Sequence, residues 1–259
     1  MRVMDRTGGG TMKITEHIEA LEAAGRALGD AAAEAGPHAE VPTCPGWRVR
    51  DLLRHTTMVH RWAAAFVAEG HTTYQPDAGE PALDGEELLA HYREGHAQLV
   101  AALRAAPEDL ECWTFLPAPS PLAFWARRQA HETAVHRADA ESALTGPGPV
   151  DSAFAADGID ELLRGMHGRD RSRVRTPEPR VLRVRATDTG DVWTVRLSAE
   201  PPRTERDVRA TAVADTELSG PADRLYLYLW NRLPAGSVTL TGDEDVARLW
   251  RETSGITWS

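Results

Sequence analysis

Cysteine is nearly absent from this chain of 259 residues: Cys44 and Cys112 alone cannot build a disulfide framework or a four-cysteine zinc site. Such sparse use fits a reducing cytoplasm. Lysine occurs once, at Lys13, and the other basic side chains are arginine. Together with the abundant alanine, this is what a GC-rich genome imposes on neutral positions. Positive charge is also in deficit, with 29 Lys and Arg against 39 Asp and Glu and a formal net charge of -10. That balance argues against a nucleic-acid backbone as the main partner, which needs clustered cations. No stretch of about 18 residues, the length of a membrane span, lacks a charged side chain, and the apolar patch Trp62 to Ala68 is far too short. Met1 to Met12 is polar, carries Gly8, Gly9 and Gly10, and is read as a frayed lead-in with nothing to direct secretion. What remains is 42% hydrophobic and 26% charged, the balance of a globular chain of one large domain or two ordinary ones.

Periodicity orders the first half. Ile14, Ile18, Leu21, Ala24 and Leu28 define a helical face that Gly36-Pro37 ends. The turn-forming run Val41 to Trp47 leads into a second helix, Val49 to Glu69, whose stripe is Leu52, His55, Val59, Trp62 and Phe66. Asp84 to Ala105 reads as a third helix, and Pro121 to Leu144 as a fourth that starts with proline in its first turn. Helices of about twenty residues joined by loops are what a four-helix bundle requires. A short helix, Asp151 to Gly165, follows, and the acidic run Asp157 to Leu162 within it lacks EF-hand spacing and is expected to serve in helix capping. Arg169 to Pro179 is read as a linker. Val181 to Leu197, turning at Thr187 to Asp191, has the alternation of a hairpin. An extended run at Asp207 to Ala214, a helix at Pro221 to Trp230, a strand at Ser237 to Thr241 and a helix at Asp243 to Glu252 complete the second half. The expected fold is α+β, mainly α: a bundle over residues 12–168 and a small α+β domain over 176–259.

The fourth helix carries the chemistry. Glu132 and His136 are four residues apart and share a face, with Trp125, Gln129 and Asp139 on the same stripe. His55, on the apolar stripe of another helix, supplies a third suitable ligand. Two imidazoles and a carboxylate from two helices would hold zinc or a related divalent ion and leave positions open. The same spacing also describes an ordinary surface ion pair, and HExxxH is one residue longer than the zinc-protease motif. His60, off the stripe, is expected to be exposed, as are His91 and His96, while His131, about a hundred degrees from Glu132 around the helix, is a weaker ligand candidate or a donor behind the ligands. Cys44, near a helix start, is a weaker nucleophile candidate for want of a basic partner. Trp47, Trp62 and Trp125 are expected as core or pocket walls.

With those residues in hand, the chain resembles the mycothiol-dependent maleylpyruvate isomerase family among the DinB-like metal-binding helix bundles. The similarity rests on Val41-Pro42-Thr43-Cys44-Pro45-Gly46-Trp47 with Val49, Asp51, Leu52 and His55, on Phe124-Trp125-Ala126-Arg127-Arg128, and on His131 to His136 with Asp139-Ala140-Glu141. Further along it rests on Ala156 to Leu163, on Leu229-Trp230-Asn231-Arg232-Leu233-Pro234, and on Thr241-Gly242-Asp243. The resemblance implies a divalent ion, zinc or else nickel or iron, at His55, Glu132 and His136, and a C-terminal domain like sterol-carrier folds. It also implies mycothiol, the small thiol of actinobacteria, as cosubstrate.

The mechanism that follows has the metal lower the thiol's pKa so that the thiolate attacks an electrophilic small molecule. The outcome would be cis-trans isomerisation of an unsaturated diacid such as maleylpyruvate, or S-transfer. Arg232 is expected to orient the acidic groups, with Arg128 the second choice; Arg232 as a helix-end surface cation is the plain alternative. The competing readings are a hydrolase or lyase using metal-bound water and a non-enzymatic small-molecule binding protein.

Overall fold

The computed structural model describes residues 12–206 and 213–256 and divides them into two compact units, which meet in sequence between Gly148 and Pro149. In the first, α1 (Ile14–Ala35), α2 (Val49–Glu69), α3 (Gly85–Ala105) and α4 (Pro121–Ser142) form a bundle in which α1 packs on α3 and α4, and α2 on α3 and α4. Local chemistry marks the helix starts. The Ser120 hydroxyl accepts from Ala123 N at 3.1 Å ahead of Pro121, and the Asp84 carboxylate accepts from Gly85 N at 2.9 Å. Leu28, Val49, Leu52, Leu88 and Tyr92 are closed from solvent in one end of the core. Elsewhere the backbone of α1 comes very close to α3: a Cβ on Gly25 would collide with the His96 ring, and Tyr92 Oη donates to Gly25 O at 2.9 Å.

The fourth helix is buried almost all round. Arg128, Gln129, His131, Glu132, Thr133, His136 and Asp139 are all closed from solvent together with Ala126, Ala130, Ala134, Ala138 and Ala140. Such groups are tolerated only when they satisfy one another.

The second unit opens with α5 (Ser152–Asp160), whose end widens into a π turn over Glu161–Met166, closed by His167 N donating to Leu162 O at 3.0 Å. The acidic run Asp157 to Leu162 therefore lies inside this helical segment and does not cap it; Asp151 is the cap, accepting from Phe154 N at 2.9 Å. The helical segment 152–166, which periodicity attaches to the bundle, belongs to this unit. A sheet follows in the order β3-β2-β1-β4-β5, made of β1 (Arg180–Ala186), β2 (Val192–Leu197), β3 (Arg203–Arg206), β4 (Thr216–Gly220) and β5 (Thr239–Gly242). β1 pairs antiparallel with β2 and parallel with β4. Register places Leu182, Val184, Trp193, Val195 and Leu218 on one buried face. Helices α6 (Ala222–Leu229) and α7 (Glu244–Thr253) pack on β1 and β4, and Trp193 Nε1 donates to Asp160 Oδ1 at 3.2 Å.

The hairpin and the later helices lie close to where periodicity puts them, and Ala235–Ser237 is a short 3-10 turn ahead of β5. Two strands escape a pattern search. β3 is an edge strand reading Arg-Thr-Glu-Arg with mostly exposed side chains, and β4 is only five residues long. Most of the expected run Asp207 to Ala214 lies outside the described residues, as does the lead-in before Met12. The segment read as a linker is partly tied down: Val174 is buried and Thr176 N donates to Ser198 O at 2.9 Å.

Candidate metal centre

The segment Val41 to Trp47 closes on itself before α2 begins. Val41 N donates to Trp47 O at 3.0 Å, Cys44 N to Val41 O at 2.9 Å and Trp47 N to Cys44 O at 2.9 Å, and Gly46 supplies a φ of 88° that other residues rarely adopt. The Asp51 carboxylate then accepts from Arg48 N at 2.9 Å, starting α2. His55 follows, half-buried and facing α4.

There it meets Glu132 and His136. One nitrogen from each imidazole and one carboxylate oxygen lie within 4.8 Å of one another, a spacing at which three side chains could hold a metal ion. Glu132 Oε1 is 3.2 Å from His136 Nε2 and 3.7 Å from His55 Nε2. The other oxygen, Oε2, accepts from Arg128 Nη2 at 3.1 Å. His136 Nδ1 donates to Asp139 Oδ2 at 2.8 Å, and Thr43 Oγ1 donates to Asp139 Oδ1 at 2.6 Å. The Trp47 ring covers both imidazoles, meeting His55 edge-on at 5.2 Å and stacking within 17° of His136 at 6.4 Å.

Charge settles in this cluster in a definite way. Burial pushes the Glu132 carboxyl up, but the hydrogen bonds from His136 and His55 and the Arg128 charge outweigh it and hold the group well below the usual range. Burial likewise opposes a charge on His136, yet the bonds to Asp139 and Glu132 raise it to about 9. The two shifts share a cause, since Glu132 and His136 each favour the charged form of the other.

The expected site residues are distributed as follows. His55, Glu132 and His136 converge, and Arg128 joins them as the partner of Glu132. Arg232 lies in the second unit, just beyond α6, where Nη1 donates to Trp230 O at 2.8 Å. The sequence contains no local sign of Thr43's role, because its partner is on a helix far along the chain.

Three other expectations need correction. His60 is fully buried, with Nε2 at 2.8 Å from Thr133 Oγ1 and its ring 5.6 Å from His96 and 5.7 Å from Tyr92. His96 is buried too, its Nε2 at 3.1 Å from Leu21 O. His91 is half-buried, at 3.2 Å from Arg61 Nη2. The reason is the same for each: α2 and α3 are covered by more than one neighbour, so the buried face is wider than a single stripe. His131 is buried with its ring edge on His17 at 6.0 Å. Trp62 and Trp125 stand 5.3 Å apart in an aromatic cluster with Phe66 and Trp113, while Cys44 is half-buried.

Comparison with known proteins completes the picture. No curated protein sequence gives a significant match. Among solved structures, the mycothiol-dependent maleylpyruvate isomerase superposes with a TM-score of 0.61 at 14% identity, covering 89% of this chain and 93% of that one. A histidine-to-alanine mutant of that isomerase gives 0.61 at 13% identity with the same coverage. At such identity these matches show a shared fold. Residues 18–141 match the family model of the mycothiol maleylpyruvate isomerase N-terminal domain, and residues 153–249 match the MDMPI C-terminal domain. With both halves matched in order, the chain belongs to the mycothiol maleylpyruvate isomerase family.

Proposed function

We propose that the protein is a divalent-metal-dependent enzyme that uses mycothiol as a thiol cosubstrate against an electrophilic small molecule. The favoured reaction is cis-trans isomerisation of an unsaturated diacid such as maleylpyruvate, with S-transfer as the variant for substrates bearing a leaving group. The observation that carries this reading is the convergence of His55 from α2 with Glu132 and His136 from α4, in a chain of this family. Two imidazoles and one carboxylate are a zinc donor set, and nickel or iron fits the same ligands. When bound, the ion would lower the pKa of a thiol at its open positions, as coordination does for thiols generally.

The protein's own residues have separable tasks. Arg128 engages Glu132 Oε2 and leaves Oε1 toward the imidazoles. Trp47 packs against both rings. For isomerisation, the thiol sulfur adds to one alkene carbon, rotation occurs about the resulting single bond, and elimination returns the thiolate with the trans product. On sequence grounds Arg232 remains the residue proposed to orient the substrate's acidic groups, with Arg128 second. A cytoplasm that contains this thiol is the setting the reading requires.

Metal analysis and thiol dependence test it together. About one divalent ion per chain is expected, lost in His55→Ala and His136→Ala, with turnover of maleylpyruvate only when mycothiol is added. A protein that takes up no zinc, nickel or iron on reconstitution, or that turns over substrate without a thiol, overturns the proposal.

A further inference from the structure

We propose that Asp139 and Thr43 are positioning residues for His136, forming a chain that fixes which ring nitrogen this ligand presents; the inference rests on the metal reading above. Asp139 is completely closed from solvent, and a carboxylate so placed is tolerated only if its oxygens are satisfied. Its two oxygens are used differently. Oδ2 accepts from His136 Nδ1 at 2.8 Å, and Oδ1 accepts from Thr43 Oγ1 at 2.6 Å. With Nδ1 committed to the carboxylate, Nε2 is the nitrogen that faces Glu132 Oε1 and His55. A carboxylate behind an imidazole sets the tautomer, holds the ring plane and raises the basicity of the nitrogen in front.

The spacing of His136 and Asp139 on one helix would by itself produce a local pair with no purpose beyond α4. Thr43 argues otherwise, because it comes from the closed turn before α2, far away in sequence. That turn is held by its own backbone bonds, and it also carries Trp47, which packs on both imidazoles. Ser142 steadies the junction from the α4 side: its Oγ donates to Asp139 O at 2.6 Å and lies 3.1 Å from Thr43 Oγ1. One turn thus braces His136 twice, through Trp47 on its face and through Thr43 and Asp139 behind it. The Thr-Cys-Pro-Gly-Trp segment gains a physical role in which Cys44 takes no chemical part.

The test is zinc affinity measured by competition with a chromophoric chelator, on wild type, Asp139→Asn, Thr43→Val and Thr43→Ser, with the d-d spectrum of the cobalt-substituted proteins as a second readout. Asp139→Asn should weaken zinc binding by about 10- to 100-fold and alter the cobalt spectrum. Thr43→Val should show a smaller loss in the same direction, and Thr43→Ser should restore it, since the hydroxyl is what matters. Unfolding midpoints in chelator identify any variant that fails to fold, and Thr43→Val then decides the matter. Wild-type affinity in both Asp139→Asn and Thr43→Val overturns this inference while leaving the metal site standing. A loss confined to Asp139→Asn removes Thr43 from the chain. A wild type that binds no zinc overturns the metal reading and this inference with it.

Discussion

Arg128 Nη2 lies 3.1 Å from Glu132 Oε2, one helical turn away, with the two side chains only 1% and 6% exposed. This is an ion pair in the interior of the bundle, where the attraction is little screened and either charge alone would be costly. Arg128 also explains why Glu132 turns a single oxygen toward the two histidines. Replacing Arg128 by methionine should therefore destabilise the metal-free protein by about 1–3 kcal/mol, because Glu132 is left buried with only His136 and His55 against its charge. Added zinc should recover part of that loss. Urea unfolding with and without zinc measures both, and an Arg128→Met protein as stable as wild type in chelator would refute the assignment.

Two buried histidines make acid sensitivity a property of both units. Burial is the main cause that drives His60 in the bundle and His167 in the second unit down to about 3. Around His60 stand His96 and Tyr92 from α3, Glu132 and His136 from α4, and His55 on its own helix; Arg169 and Trp250 lie near His167. Each ring is neutral when folded, whereas the unfolded chain takes up a proton below about 6.5. Stability is thus fully present above that pH and falls as the pH drops from about 6.5 toward 3, by up to roughly 1.4 kcal/mol per pH unit for each histidine. Urea midpoints between pH 7.5 and 4 should decline less steeply in His60→Gln and His167→Gln. An unchanged slope in both would show that other groups govern acid unfolding.

Gly25 permits the close packing of α1 on His96, since a Cβ there would strike the imidazole ring. Gly25→Ala should cost about 1–3 kcal/mol through overpacking and through loss of the bond from His96 to Leu21 O. The double variant Gly25→Ala/His96→Ala should be less damaged than the sum of the single changes, because removing the ring removes the clash. Additive losses in thermal unfolding would mean that α1 and α3 relax apart instead.

Asn231 is the one residue other than glycine with positive φ among the described residues, at 62°, and its Nδ2 donates to Arg251 O at 3.0 Å. It ends α6 and ties that end to α7, which gives the Leu-Trp-Asn-Arg-Leu-Pro segment a structural role independent of Arg232. Asn231→Gly keeps the backbone conformation and loses only the side-chain bonds to Arg251 O and Ser254 Oγ, whereas Asn231→Leu also incurs strain of order 1–3 kcal/mol. The leucine variant should melt clearly below the glycine variant; equal melting points would remove backbone conformation as the reason for asparagine.

The amphipathic stripes of α1 and α2 and the turn chemistry around them place those helices in the sequence alone, because a period of 3.6 is a property of the helical backbone wherever it packs. The same geometry makes Glu132 and His136 neighbours in advance of any tertiary contact, and Asp139 their companion. β3 is not legible in that way: an edge strand has one free side and keeps mostly exposed side chains, so no alternation of apolar residues survives to mark it.

Only the tertiary structure decided which groups from other elements reach those α4 residues. His55 and His60 sit on one helix, and both are drawn inward because α2 is covered by α3 and α4 together; the stripe by itself separates them. Thr43 reaches Asp139 for a reason that no periodicity encodes, since a hydrogen bond between distant segments depends on where packing brings their backbones. Residue types and their local spacing were set by the chain's own covalent geometry, whereas their partners were set by the way the helices close around a core that must satisfy most of the polar groups it buries.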